Sequence, residues 1–292
     1  MLSGTVAAIV VNRNGGDIVG RCLRSLQDSS SPPQSIVVVD NHSTDGSDMQ
    51  IERLFPAARL LRTSRNIGYG AALNLGIEAA AGNGSDLLLL MNNDVEVAPD
   101  AIEALLRHWG TETGLLGPKV LRMDRRDHLE AAWGEIRFHH VVCHMVGEGA
   151  ADSAEFSQTR SVDALLGCLL LTSRAVVQRA GPFDGNYFMY LEEIDYAHRV
   201  RKLGKSVLFV PEAVVWHAGG HATGRDAGRA VKTFYVRRNA VLFLRKHGDT
   251  ARWCKFLLFS AASLAFYLLT FRWGGFLLRL RGYADGFRAA LP

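Results

Sequence analysis

The sequence predicts an α/β chain, a mostly parallel sheet flanked by helices, that carries a basic, amphipathic helical tail. Three observations predict it. Strand and helix signals alternate through the first two-thirds, as in stacked βαβ units. A continuous apolar run of strand length, Leu87 to Met91, ends abruptly in Asn92, Asn93 and Asp94, which suits a central strand buried on both faces. The charge is also divided: 13 of the 33 Lys and Arg but only three of the 29 Asp and Glu fall in residues 225–292, which leaves the tail near +10 and residues 1–224 near −6.

Taken in order, Thr5 to Val11 reads as a first strand. The segment has no basic leader region and no small-residue cleavage site, and it runs straight into a polar turn. Asp17 to Leu26 has amphipathic helix spacing, and Ile36 to Val39 is a short β-branched strand ending at Asp40. Ser43 to Leu54 follows as turn and helix, Arg59 to Arg62 as a strand, Tyr69 to Ala81 as an alanine-rich helix. Beyond Asp94, Pro99 is expected to open a helix through Trp109, at the position proline tolerates best. From Gly114 to Arg160 the pattern loosens into hairpins and loops. A strand over Ala164 to Leu171, a short helix at Arg174 to Arg179, a helix from Glu192 to Leu203 and strands at Ser206 to Val210 and Ala213 to Trp216 complete the body. The 48% hydrophobic content supports one substantial core, and Cys22, Cys143, Cys168 and Cys254 show no CxxC spacing, so buried free thiols in a reducing compartment are expected.

Residues 1–224 are therefore taken as the catalytic domain and 225–292 as a membrane-associating region. Val231 to Lys246 reads as a helix mixing apolar and basic residues. Phe256 to Phe271 is a 16-residue stretch without charge, flanked by Arg252, Trp253, Lys255, Arg272 and Trp273. That is short of the roughly 20 residues of a spanning helix, and basic and aromatic flanks settle such a helix at a lipid interface. Apolar content favours an anionic membrane surface over nucleic acid as partner of the basic tail; the alternatives are a helix packed on the body of the chain or on a second copy, and true spanning.

Four polar clusters fall at strand ends or helix starts. Asn12 and Asn14 follow the first strand. Asp40, Asn41 and Ser43 follow the second, and an acceptor-only carboxylate there suits the imide N3–H of uracil or thymine. Arg65, Asn66 and Gly68 open a helix whose amino end favours anions. Asn92, Asn93 and Asp94 end the central strand, where Asp94 is a hard oxygen ligand for Mg2+ or Mn2+ on a diphosphate. A fifth cluster, Glu192, Glu193 and Asp195, has like charges crowded at a helix start, which raises at least one pKa; the ordinary alternative is acidic residues offsetting the helix dipole. The His139, His140, Cys143 and His144 group fits no standard zinc spacing and reads as a solvated hairpin.

In this order the motifs V-x-x-N, D-N-x-S-x-D-G-S, R-N-x-G-Y-G-A-A-x-N-x-G, L-x-N-N-D, GPFDGNYFMYLEEIDYAHRVRKLG and Trp216-His217 resemble those of family 2 glycosyltransferases, in particular the bacterial rhamnosyltransferase-like branch, over nearly the whole chain. The resemblance implies a GT-A type, Rossmann-like sheet and an inverting, metal-dependent sugar transfer. The donor would be a pyrimidine nucleoside diphosphate sugar, first dTDP-rhamnose, otherwise UDP-galactose or UDP-N-acetylglucosamine. The acceptor would be a polyprenyl-linked or other glycan at the cytoplasmic face of a bacterial cell membrane. It assigns Asp94 and His217 to the metal and, where relatives have Glu-Asp, Glu193 to the base, with Glu192 and Asp195 as alternatives. The competing classes are a sugar nucleotidyltransferase, for which Asn12 to Asp17 is a poor phosphate loop, and a membrane-bound scaffold without turnover.

Overall fold

A computed structural model describes residues 5–219 and 225–291. The expected domain boundary at residue 224 lies outside the described residues. The amino-terminal half alternates β1 (Val6–Asn12), α1 (Ile18–Gln27), β2 (Ser35–Asp40), α2 (Ser47–Leu54), β3 (Arg59–Arg62), α3 (Tyr69–Ala79) and β4 (Leu87–Asn92). After it come β5 (Val95–Val97), α4 (Ala101–Arg107), β6 (Thr113–Arg122), β7 (Leu129–Ala131), β8 (Trp133–Ile136), β9 (Cys143–Val146), β10 (Arg160–Ser161) and β11 (Leu169–Ser173). The remainder is α5 (Arg174–Ala180), α6 (Glu192–Lys202), β12 (Ser206–His217), α7 (Arg225–His247), α8 (Thr250–Leu269) and α9 (Trp273–Arg288).

The main sheet has the order β10-β12-β6-β11-β4-β1-β2-β3. Strands β3, β2, β1 and β4 run parallel, β12 runs parallel to β6, and β11 is antiparallel to both its neighbours. Because β1 lies between β2 and β4, the strand order reverses beside it, the place where open α/β sheets leave a crevice at the strand carboxyl ends. Register fixes what meets there: Asn12 is opposite Asp40, and Val11 opposite Asn92. Side chains of β1 alternate between two buried layers, Ala7, Ile9 and Val11 facing one and Ala8 and Val10 the other.

The sequence reading needs correction at several elements. Residues 113–122, expected to be loose, form the long buried strand β6. Gly114, Gly117 and Pro118 mask its strand pattern, and the missing proline N–H is tolerated in a gap between the β11 pairing at Leu116 and the β7 pairing at Val120. The strand expected from Ala164 begins only at Leu169, with Ala164 making an isolated bridge to Gly134. Helix α4 starts after Asp100 rather than at Pro99, whose carbonyl accepts from Ser30 N and Ser29 Oγ. The runs at 206–210 and 213–216 form one strand, β12, with a register shift between Val210 and Val214 where the two runs join. Helix α9 was not anticipated, and Cys254 is exposed rather than buried.

Helix α7 does not stand apart from the sheet domain. Ala240 to Leu244 are fully buried in the same apolar cluster as Ile9, Leu90 and Tyr196. Its buried Asn239 donates to the carbonyls of Tyr187 (2.9 Å), Met189 (2.8 Å) and Tyr190 (2.7 Å). These carbonyls belong to a turn in which Phe188, Tyr190 and Leu191 all have positive φ, at 63°, 65° and 71°. Non-glycine residues avoid that region, so the turn persists because its surroundings hold it. Asn239→Ala leaves these buried acceptors without their shared donor; we expect a loss of about 1–3 kcal/mol in denaturant unfolding, together with loosening of residues 188–191 seen as faster amide exchange there.

Candidate active site

The crevice is built around a buried amide. Asn12 at the end of β1 has no exposed surface; its Nδ2 donates toward Asp40 Oδ1 (2.8 Å), Ser47 Oγ (3.0 Å) and Ser43 Oγ (3.2 Å), and its Oδ1 accepts from Asn93 Nδ2 (2.7 Å). One side chain thus ties the ends of β1, β2 and β4 together. Asp40 is also buried, its second oxygen accepting from Ser43 N at 3.0 Å. Asn14 accepts from Thr44 N (2.8 Å), and its own N–H donates to Ser43 Oγ (2.9 Å). Asn41, buried, is equally saturated: Nδ2 donates to Asn66 Oδ1 and the Gly68 carbonyl, while Oδ1 accepts from Ile67 N.

The anion site expected at the start of α3 is not open. Ile67 N is taken by Asn41, Gly68 N by Asn66 Oδ1 at 3.0 Å, and Tyr69 N by the Phe188 carbonyl at 2.7 Å. The Phe188 backbone comes so close that a Cβ on Gly68 (φ 88°) would stand 2.5 Å from its oxygen. The glycine serves protein packing, and Arg65 alone of that motif presents an exposed side chain.

On the opposite rim, Asp94 follows β4 and His217 ends β12. Their facing atoms, Oδ1 and Nε2, are 3.1 Å apart, and His217 Nδ1 lies 2.6 Å from Glu130 Oε2 on β7. Asn92 Nδ2 reaches His217 Nε2 at 3.4 Å. Burial by itself would depress the imidazole, but the Asp94 and Glu130 carboxylates outweigh it and push the pKa up to about 10. Glu130 is a site residue that the sequence reading missed. Two ligands at right angles on an ion with bonds of about 2.1 Å stand about 3.0 Å apart. The Asp94–His217 spacing therefore fits neighbouring positions on Mg2+ or Mn2+. Glu130, by accepting Nδ1–H, would turn Nε2 toward the ion as an outer-shell carboxylate does. Among the described residues no three His, Cys, Asp or Glu share a metal position, so an ion held here would have this pair as its protein ligands.

Facing this rim is the first turn of α6. Glu192 is buried, whereas Glu193 keeps part of its surface open and lies against the bare backbone of Gly167. Burial pushes the Glu193 carboxyl up to about 7 despite opposing backbone N–H groups and Lys232, and burial followed by the Glu193 charge raises Glu192 as well. The Gly167-Cys168 segment joins the two sides: Tyr69 Oη donates to the Gly167 carbonyl (3.1 Å), and Asn92 N to the Cys168 carbonyl (2.9 Å).

Asp195, an expected alternative base, is corrected to a structural role. Its side chain is fully buried and bonded to Arg199 Nε (2.8 Å), Lys246 Nζ (2.7 Å), His247 Nε2 (2.8 Å) and Tyr187 Oη (3.3 Å). Burial alone would raise its pKa, but the His247 hydrogen bond and the Arg199 and Lys246 charges outweigh it and hold the carboxyl well below the usual range. The histidines at 139, 140 and 144 share the β8–β9 hairpin region, where His139 stacks on Phe259.

A parallel sheet with a crevice at its order reversal, an acid–imidazole pair on one rim and a raised carboxylate on the other define a GT-A type glycosyltransferase. The model of the glycosyl transferase family 2 matches residues 7–136. Over 249 residues the chain is 31% identical to an N-acetylglucosaminyl-diphospho-decaprenol L-rhamnosyltransferase of Mycobacterium tuberculosis, covering 77% of this chain and 80% of that one. The chain belongs to glycosyl transferase family 2. It is also 20% identical over 222 residues to a dTDP-rhamnosyl transferase of Shigella flexneri, covering 73% of this chain and 71% of that one. In fold it resembles a mannosyltransferase of Pyrobaculum calidifontis solved with GDP-Man and Mn2+, with a TM-score of 0.59, 16% identity, and 97% of this chain and 87% of that one covered.

Asp195→Asn strands the Arg199 and Lys246 cations around a neutral amide, and breaking a buried pair in this way costs about 3–5 kcal/mol. Its contribution is complete above the ordinary carboxylate pKa and is lost as pH falls toward the depressed folded-state value, so we expect the difference between wild type and Asp195→Asn in thermal unfolding to shrink on acidification.

Proposed function

We propose that the chain is an inverting, metal-dependent glycosyltransferase that moves a sugar, first L-rhamnose from dTDP-rhamnose and otherwise a UDP-linked sugar, to a lipid-linked glycan at the cytoplasmic face of a bacterial membrane. The observation that carries it is the combination of the Asp94–His217 donor pair with the Glu193 carboxyl, whose Oε2 is buried without a hydrogen-bond partner and whose pKa is raised to about 7. Its likeness to a dTDP-rhamnosyl transferase supports the donor, and its likeness to an N-acetylglucosaminyl-diphospho-decaprenol L-rhamnosyltransferase supports the lipid-linked acceptor.

In this reading Asp94 and His217 hold Mg2+ or Mn2+, which when bound neutralises the charge developing on the departing diphosphate. Asn12 and Asn41 act at one remove, the first fixing Asp40 and Asn93, the second fixing the 66–68 turn. Asp40 has lone pairs left to accept from the pyrimidine imide, and Ser43 and Asn14 shape the floor beside it. Arg65 offers its guanidinium at the crevice mouth. Glu193, its pKa raised by burial, takes the proton from the acceptor hydroxyl as that oxygen attacks the anomeric carbon, and Glu192, raised by burial and by the Glu193 charge, stays protonated beside it.

The carboxyl-terminal hairpin supplies the membrane contact. Helix α8 is long and apolar enough to cross a bilayer by length and composition, yet it exposes Leu257, Leu258, Phe259 and Leu269, while α9 exposes Trp273, Leu277 and Leu280. Basic Arg252, Lys255 and Arg272 beside this surface suit anionic headgroups.

Purified protein incubated with dTDP-rhamnose or UDP-sugars, Mn2+ or Mg2+ and a polyprenyl-diphosphate-linked N-acetylglucosamine should release nucleoside diphosphate. Asp94→Ala should lower release at least 100-fold and weaken donor binding; unchanged release would remove the metal role. Glu193→Gln should bind donor normally and transfer at least 100-fold more slowly. Because Glu193 must be ionised to accept a proton, kcat/KM should climb through pH about 7 and level off above it; a rate independent of pH between 5.5 and 8.5 would reassign the base.

A further inference from the structure

Outside the crevice, helices α7, α8 and α9 enclose a group of polar atoms that the protein leaves without partners. Arg237 on α7 is 7% exposed, and its Nε is buried without a hydrogen bond. The same holds for Arg279 Nε and Tyr283 Oη on α9 and for Ser260 Oγ on α8. Arg237 feels the charges of Tyr283, Arg279 and Tyr267, so these groups lie close together. Arg279 Nη2 donates to Tyr267 Oη (2.7 Å), Tyr283 packs edge-on against Phe256 one turn before Ser260, and at Gly282 the α7 and α9 backbones cross so closely that a Cβ would lie 3.0 Å from that of Arg237. No ion pair among the described residues includes either arginine. His140 adds further positive character: burial, then the charges of Arg237, His139 and Arg279, depress its imidazole, which places it in their field.

Arg279 is half-buried and spends Nη1 on the Gly275 carbonyl (3.0 Å) and Nη2 on Tyr267, which leaves its Nε; that Nε, the buried Arg237 guanidinium, a phenol and a hydroxyl, none of them paired with a carboxylate, match the oxygens of a phosphoryl anion. Location narrows the source. Lys232, whose charge acts on Glu193, precedes Arg237 by five residues of α7, about 7.5 Å of rise, and the exposed apolar residues of α8 and α9 lie alongside. We propose that Arg237, Arg279, Tyr283 and Ser260 form a second anion site that binds the diphosphate of the lipid-linked acceptor, separate from the donor diphosphate site at Asp94. This rests on the transferase reading for the identity of the ligand, though not for the existence of the site.

The test uses the full-length protein. Inorganic pyrophosphate is titrated calorimetrically in EDTA-containing buffer into wild type, Arg237→Gln, Arg237→Lys, Arg279→Gln and Asp94→Ala. Wild type and Asp94→Ala should bind alike, Arg237→Gln and Arg279→Gln at least tenfold more weakly, and Arg237→Lys should recover part of the loss. Should Arg237→Gln not fold, judged by circular dichroism, Arg279→Gln at its half-buried position carries the comparison. Wild-type affinity in the glutamine variants overturns the site, and loss in Asp94→Ala moves the anion to the donor crevice and overturns it equally. Kinetics then identifies the source. With N-acetylglucosamine joined through diphosphate to a short prenyl chain, Arg237→Gln should raise acceptor KM at least tenfold, with kcat and donor KM within twofold. With a phosphate-free alkyl N-acetylglucosaminide, KM should not change. If Arg237→Gln instead loses sedimentation with phosphatidylglycerol vesicles while acceptor KM stays constant, the ligand is a headgroup and the acceptor assignment falls. Wild type that binds pyrophosphate through Arg237 but transfers to no lipid-linked acceptor refutes the transferase reading and the acceptor assignment, leaving the anion site in place.

Discussion

Asp195 draws a guanidinium, an ammonium, an imidazole and a phenol into the interior, and the position of the α6 start follows from that cluster. A carboxylate without solvent is tolerable only when its oxygens are fully met by donors. Here the donors come from two helices, Arg199 on α6 and Lys246 and His247 on α7. Satisfying one charge therefore docks α7 against α6, and α6 begins with Glu192 and Glu193. Asn239 sits two turns earlier on α7 and holds the turn that leads into α6. Glu193 is thus placed by residues that follow the sheet domain in sequence.

The two rims of the crevice solve opposite electrostatic problems. Around His217, two carboxylates stabilise a positive charge against burial. Around Glu193, burial prevails, and the carboxyl is held where proton uptake and release are balanced near neutrality. The floor between them is nearly inert: Asn12 and Asn41 spend their hydrogen-bonding capacity on neighbouring loops, so the strand ends form a rigid plate. Such rigidity is what orientation of two substrates requires.

Much of this was legible in the sequence because strand ends announce themselves. The apolar run before Asn92, the β-branched run before Asp40 and the early strand before Asn12 each carry their polar residues where a parallel sheet brings them together. The amphipathic spacing of α1 and the short strand at residues 59–62 were equally direct. Glu130 was invisible because it lies on a three-residue strand in a stretch whose glycines and proline hide the pattern, and only β6, paired to both β7 and β12, brings it to His217. Asp195 looked like its neighbours Glu192 and Glu193; what separates them is the arrival of Lys246 and His247 from about 50 residues away, which no local pattern encodes. The anion site expected at Gly68 failed for a similar reason, since the N–H groups were claimed by Asn41, Asn66 and the distant Phe188 carbonyl.

The sharing of one apolar core between α7 and the sheet has a bearing on how chains of this kind can be recombined. A carboxyl-terminal segment grafted from another transferase would have to bring an amide, an ammonium and an imidazole into register with a host carboxylate and three host carbonyls. Shuffling at this junction is therefore forbidden unless both sides travel together, and the two parts are bound to diversify as a single inherited unit.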